Sequence, residues 1–122
     1  MTKITRMLIV EDEPLISMML EDFLEALGCD VIGTAETVDD AMVFVESGGL
    51  DAAILDLNLR DGESSDPVAV RLRELGIPFA VSSGDEGGTV RYGNRPRLVK
   101  PYTISDLESA IGEMERVDAA TG

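Results

Sequence analysis

Histidine is missing from all 122 residues. Its absence removes Ser-His triads, Cys-His pairs, imidazole metal sites and the commonest general base. Cysteine is reduced to Cys29 alone, so no intramolecular disulfide can form and a reducing cytoplasm is the expected compartment. Basic residues are scarce. Ten Lys and Arg stand against 24 Asp and Glu, a formal charge of −14. Nucleic acids and anionic membranes attract the opposite sign, so neither is an expected partner. No run approaches the roughly 18 consecutive apolar residues of a membrane span. The first residues, Met1 to Arg6, lack the apolar stretch and small-residue cleavage site of a signal peptide. Any chemistry must rest on carboxylates, hydroxyls, lysine or a metal that they hold.

What is present is a foldable core. Hydrophobic residues make up 44% of the chain, too many for an acidic disordered tail, and the length suits one domain over residues 1–122. Short, fully apolar runs alternate with longer amphipathic ones. Met7-Leu8-Ile9-Val10 reads as a buried strand that stops at Glu11-Asp12-Glu13-Pro14, with Pro14 suited to a first helical turn. Leu15, Ile16, Met19, Leu20, Phe23, Leu24 and Leu27 follow at helical spacing, and Gly28 closes the run. A strand is expected near residues 30–33. The next helix carries Val38, Ala41, Met42 and Val45 and stops at Gly48-Gly49.

The rhythm then repeats. Ala52 to Leu57 forms a third strand, apolar on both faces until Asp56, followed by a polar loop over residues 58–66 and a short helix from Pro67 to Leu75. Pro78 to Ser82 is a fourth strand and Arg97-Leu98-Val99 a fifth. Thr103 caps the last helix, which carries Ile104, Leu107, Ile111 and Met114, with Asp106 completing a capping-box-like pattern. Segment 84–96 offers Val90 and Tyr92 among four glycines, so a fourth helix there is expected to be short, frayed or missing. The alternation predicts an α/β fold with a doubly wound, five-stranded parallel sheet in the flavodoxin-like order 2-1-3-4-5, whose site lies beyond the carboxyl ends of the strands.

Those ends carry the chemistry. Strand one delivers Glu11 and Asp12, strand three Asp56, strand four Ser83 and strand five Lys100. Each has an ordinary role available: acids beside a helix N-terminus, a turn aspartate, a loop serine, a surface lysine. Jointly they bring three carboxylates together, and two unit charges about 4 Å apart repel by roughly 4 kcal/mol at an effective dielectric of 20. An oxygen-only ligand set favours Mg²⁺, with Mn²⁺ or Ca²⁺ as alternatives.

Leu8-Ile9-Val10-Glu11-Asp12-Glu13-Pro14, Ile54-Leu55-Asp56-Leu57-Asn58-Leu59, Ser83-Gly84 and Lys100-Pro101-Tyr102 resemble, in order and spacing, the signatures of the receiver domain of two-component response regulators. The resemblance implies that Asp56 accepts a phosphoryl group from a kinase phosphohistidine. It implies that Glu11, Asp12 and Asp56 hold Mg²⁺ with a backbone carbonyl of Asn58. Ser83 would bond the phosphoryl group, Lys100 would pair with it, and Asn58 and Asp85 would tune the lifetime of the aspartyl phosphate. Partners would be a histidine kinase or phosphotransfer protein and a downstream protein target. With little chain beyond the last helix, no effector domain is expected and output would be protein–protein.

Departures from that pattern are Glu11 in place of the commoner Asp, Arg60 where Pro is frequent, and Arg97 where an aromatic switch residue often stands. Pro78-Phe79-Ala80, Ser83-Gly84, Arg95-Pro96 and Lys100-Pro101-Tyr102 resemble an alphaproteobacterial group of stand-alone receivers with a Phe-Ala-Thr-Gly motif on strand four. A receiver fold acting as a binding module without phosphorylation is the main alternative. A haloacid-dehalogenase-like phosphohydrolase would need a second Asp where Asn58 stands, and a flavodoxin would need phosphate donors where Glu11-Asp12-Glu13 stand.

Overall fold

A computed structural model of the chain describes residues 4–57, 59, 62–83, 97–99 and 102–121, with the side chains of 83, 97, 99 and 116–121 left aside. Chain order is β1 (Arg6–Val10), α1 (Pro14–Ala26), β2 (Asp30–Ala35), α2 (Val38–Ser47), β3 (Ala52–Asp56), α3 (Asp66–Glu74), β4 (Phe79–Ser83), β5 (Arg97–Val99) and α4 (Ile104–Thr121). The strands lie in the order β2-β1-β3-β4, and the three-residue β5 pairs along the outer edge of β4. Every pairing is parallel. This is the α/β class that alternating buried strands and amphipathic helices predict. The expectation of a weak helix in segment 84–96 falls outside the described residues.

Strand alternation divides the core in two. Leu8, Val10, Ala53, Leu55, Phe79 and Val81 face α2 and α3, where Ala41, Val45, Val68 and Leu72 cover them. Met7, Ile9, Ala52, Ile54, Ala80 and Leu98 face α1 and α4, against Leu20, Leu24, Leu107 and Met114. β3, at the centre, is buried at all five positions. Fully burying a Leu or Ile is worth about 1.5–3 kcal/mol, so the middle strand is fixed from both sides.

Helix ends follow the local chemistry. Gly28 takes φ 87° after α1, and Gly48 φ 79° after α2, conformations that suit glycine. Thr103 and Asp106 form a reciprocal box: Thr103 N–H donates to Asp106 Oδ2 at 2.8 Å, and Asp106 N–H donates to Thr103 Oγ1 at 3.2 Å. Two expected core residues are corrected. Leu15 is 80% exposed, beside an exposed Met18. It stands nine positions before buried Leu24, about two and a half turns, which turns it to the opposite side of α1. Ile104 also lies toward solvent rather than in the core stripe of α4. No helix among the described residues is long and apolar enough to cross a membrane.

Candidate functional site

The carboxyl ends of β1 and β3 bring Glu11, Asp12 and Asp56 together, with one ligand oxygen from each lying within 4.8 Å of the others. The local chain dictates this. Glu11 follows the last residue of β1 and prolongs the ladder, its N–H donating to the Ala35 carbonyl at 2.9 Å. Its own carbonyl accepts from Ser17 Oγ at 3.5 Å, and its Oε2 accepts from Glu13 N–H at 3.2 Å. Pro14 then starts α1 with Glu13 as an extended N-cap residue. Asp56 is the last residue of β3, and Leu57 N–H continues the pairing by donating to the Ser82 carbonyl at 3.1 Å.

Glu11 is 1% exposed and Asp56 5% exposed, whereas Asp12 is half-buried at the rim. Placing like charges so close and so deep is unfavourable unless a cation joins them. Three carboxylate donors without nitrogen or sulfur fit a hard divalent ion such as Mg²⁺. No acid lies within the first turn of α1, and Glu13 stands at its N-cap.

Described residues after Asp56 make backbone hydrogen bonds of their own. Ser65 N–H donates to the Leu57 carbonyl at 3.3 Å, and Leu59 N–H to the Glu63 carbonyl at 2.7 Å. Glu63 Oε1 accepts the Val38 N–H at 3.0 Å, tying the loop to the first turn of α2. Sequence reasoning missed Glu63, since its partner is 25 residues away and only the folded arrangement brings them together. It also passed over Ser82, which lies beside Asp56 in the sheet.

Other expected site residues are not all visible. Ser83 ends β4, its backbone paired with Val99, and Arg97 begins β5 opposite Val81. Their side chains are not described, and Asn58, Arg60, Asp85 and Lys100 lie outside the described residues.

The chain belongs to the response regulator receiver domain family, whose profile matches residues 7–112. The solution structure of SdrG from Sphingomonas melonis Fr1 is 49% identical, covers 94% of this chain and 99% of that one, and superposes with a TM-score of 0.86. The phyllosphere-induced regulator PhyR from Methylorubrum extorquens is 34% identical over 117 residues, 89% of this chain and 43% of PhyR. The anti-anti-sigma factor PhyR from Bartonella quintana is 28% identical, with 99% of this chain and 53% of that one covered at a TM-score of 0.78. The chain thus spans about half the length of these PhyR relatives. The likeness to SdrG and PhyR supports the alphaproteobacterial group that the β4 residues resemble. The chain is a receiver domain of two-component signalling.

Proposed function

We propose that this receiver is a phosphoryl-accepting switch, with Asp56 as the nucleophile and a histidine kinase or phosphotransfer protein as the donor. The observation that carries this is the convergence of Glu11, Asp12 and Asp56 at the carboxyl edge of the sheet. Glu11, Asp12 and Asp56 would hold Mg²⁺, which supplies neutralisation of the charge on the transferring group. The carboxylate oxygen of Asp56 attacks phosphorus as the phosphoramidate P–N bond breaks, and the electron pair leaves with the donor imidazole, which takes up a proton. Glu11 orients the metal edge of the site, since its backbone is fixed by Ala35 and Ser17. By resemblance, Asn58 contributes a carbonyl, Ser83 and Lys100 receive the phosphoryl oxygens, and Asp85 tunes its loss.

Output would run through protein contacts, as the description of PhyR from Bartonella quintana as an anti-anti-sigma factor suggests for a relative. The excess of negative charge supports a protein target over nucleic acid. A buried, reduced Cys29 suits the cytoplasm.

Intact mass after incubation with acetyl phosphate and Mg²⁺ tests the proposal. Gain of one phosphoryl group, dependent on Mg²⁺ and lost in Asp56→Asn, is expected. No gain, together with no stabilisation by Mg²⁺ and beryllofluoride, would move the protein to a receiver-fold binding module that acts without phosphorylation.

A further inference from the structure

Ser82 is 1% exposed, and its hydroxyl has no hydrogen-bond partner among the described residues. Buried polar groups in folded proteins are nearly always satisfied, so such a hydroxyl calls for an explanation. Its surroundings narrow the choice. Ser82 is the register partner of Asp56 on one side and of Leu98 on the other.

Register partners in a parallel sheet project from the same face, and residues two apart share that face. Ile54 and Ala80, two positions before Asp56 and Ser82, face α1 and α4, as does Leu98. Ile9, two positions before Glu11, does the same. Glu11, Asp56 and Ser82 therefore form one row across three adjacent strands, spaced about 4.8 Å apart. Leu98 offers no acceptor. Within that row, the acceptor on the neighbouring strand is the carboxyl group of Asp56.

We propose that Ser82 is a positioning residue for Asp56, its hydroxyl donating to the carboxylate oxygen that does not bond phosphorus once Asp56 is loaded. The proposal rests on Asp56 being the phosphoryl acceptor, and it adds a residue outside the receiver signatures. Rotation about the single Cα–Cβ bond of Ser82 redirects the hydroxyl among staggered positions without moving the strand. The desolvation of that hydroxyl is already borne by the resting state, so the new bond forms without breaking an older one. Ser82 thereby favours the loaded state over the resting one. Ser83, the next residue, keeps the role toward the phosphoryl oxygens that the receiver resemblance implies.

A merely structural Ser82 behaves differently. Its replacement by Ala would remove an unsatisfied buried hydroxyl and stabilise resting and loaded protein alike. The test is thermal unfolding of wild type, Ser82→Ala and Ser82→Thr, each alone and titrated with Mg²⁺ plus beryllofluoride, a mimic of the phosphorylated carboxylate. Ser82→Ala is expected to melt at or above the wild-type temperature when unloaded. Its apparent affinity for the mimic should fall by about fivefold, with a smaller melting-temperature gain on loading. Ser82→Thr, which keeps the hydroxyl, should retain the wild-type gain. If wild type takes up phosphoryl from acetyl phosphate but Ser82→Ala gains as much from the mimic as wild type does, Ser82 has no such role and the reading of Asp56 stands. If wild type takes up neither phosphoryl nor mimic, the acceptor reading fails and this inference falls with it.

Discussion

Two aspartates bracket the central strand, and the chain treats them in opposite ways. Asp51 stands just before β3, where its Oδ2 accepts from Thr5 N–H at 3.0 Å, Thr5 Oγ1 at 2.8 Å and Arg6 N–H at 2.9 Å. Asp56 ends the same strand, five residues on, among the carboxylates of Glu11 and Asp12. Donors converge on the first, and two further carboxylates stand beside the second. The amino edge of the sheet uses an acid to clamp the start of β1 to β3, with Asp51 N–H also donating to the Arg6 carbonyl at 2.9 Å. The carboxyl edge gathers acids that fit a cation none of them can supply. Residue type alone does not separate structure from chemistry here; the groups gathered around each aspartate do.

Breaking the clamp at the amino edge should have the larger effect on stability. Asp51→Ala removes three donors' common acceptor, and hydrogen bonds to a charged group are worth about 1.5–3 kcal/mol each at most, partly recovered from water at this half-buried site. A net loss of about 2–3 kcal/mol in urea unfolding is expected. Uptake of a phosphoryl group by Asp56 should be unchanged at temperatures where the variant stays folded. A variant that kept its stability would mean that the Thr5 and Arg6 donors find water as good a partner.

Relieving the crowded end should act with the opposite sign. Asp56→Asn removes one of three neighbouring charges while keeping the shape, so the metal-free protein is expected to gain about 1 kcal/mol. Millimolar Mg²⁺ should raise the melting temperature of wild type and leave that of Asp56→Asn nearly unmoved, since binding to the native state alone stabilises it by mass action. Equal responses of the two proteins to Mg²⁺ would detach the acidic cluster from metal binding.

Much of this contrast was legible in the sequence, for reasons that differ by residue. Asp56 stood out because it ends an unbroken apolar run, where an unaided carboxylate is expensive to bury. Glu11 and Asp12, beside a helix N-terminus, stood out only through their joint placement with Asp56. The Thr103–Asp106 box was legible because both partners lie within one turn. Leu15 misled because seven apolar residues at helical spacing sweep a wider arc than one helix face can bury. Ser82 could not be weighed, because the worth of its hydroxyl depends on which rung of β4 meets Asp56, and register is a property of the paired strands. Asp51 and Glu63 were silent for a related reason: their donors come from 45 and 25 residues away.

The smallest expected effect lies in the response to acid, and it isolates Asp51 from its counterpart. Burial pushes the Asp51 carboxyl upward and is the largest single influence, but the N–H groups of Thr5 and Arg6 and the Thr5 hydroxyl together outweigh it, leaving the group below its ordinary value. A carboxyl held lower in the folded state than in the unfolded one binds protons more readily after unfolding. Its stabilisation is therefore complete above the unfolded value, near pH 4, and is lost as pH falls through the lower folded value. Asp51→Asn has no such proton to take up. The stability difference between wild type and Asp51→Asn should be constant from about pH 7 to 5 and should narrow progressively below about pH 4. Denaturant unfolding of both proteins across that range measures it, with the Asp56→Asn background used to remove charge changes at the opposite edge. A gap that stays level down to pH 3 would show that the Thr5 and Arg6 donors hold the Asp51 side chain by shape rather than by its charge.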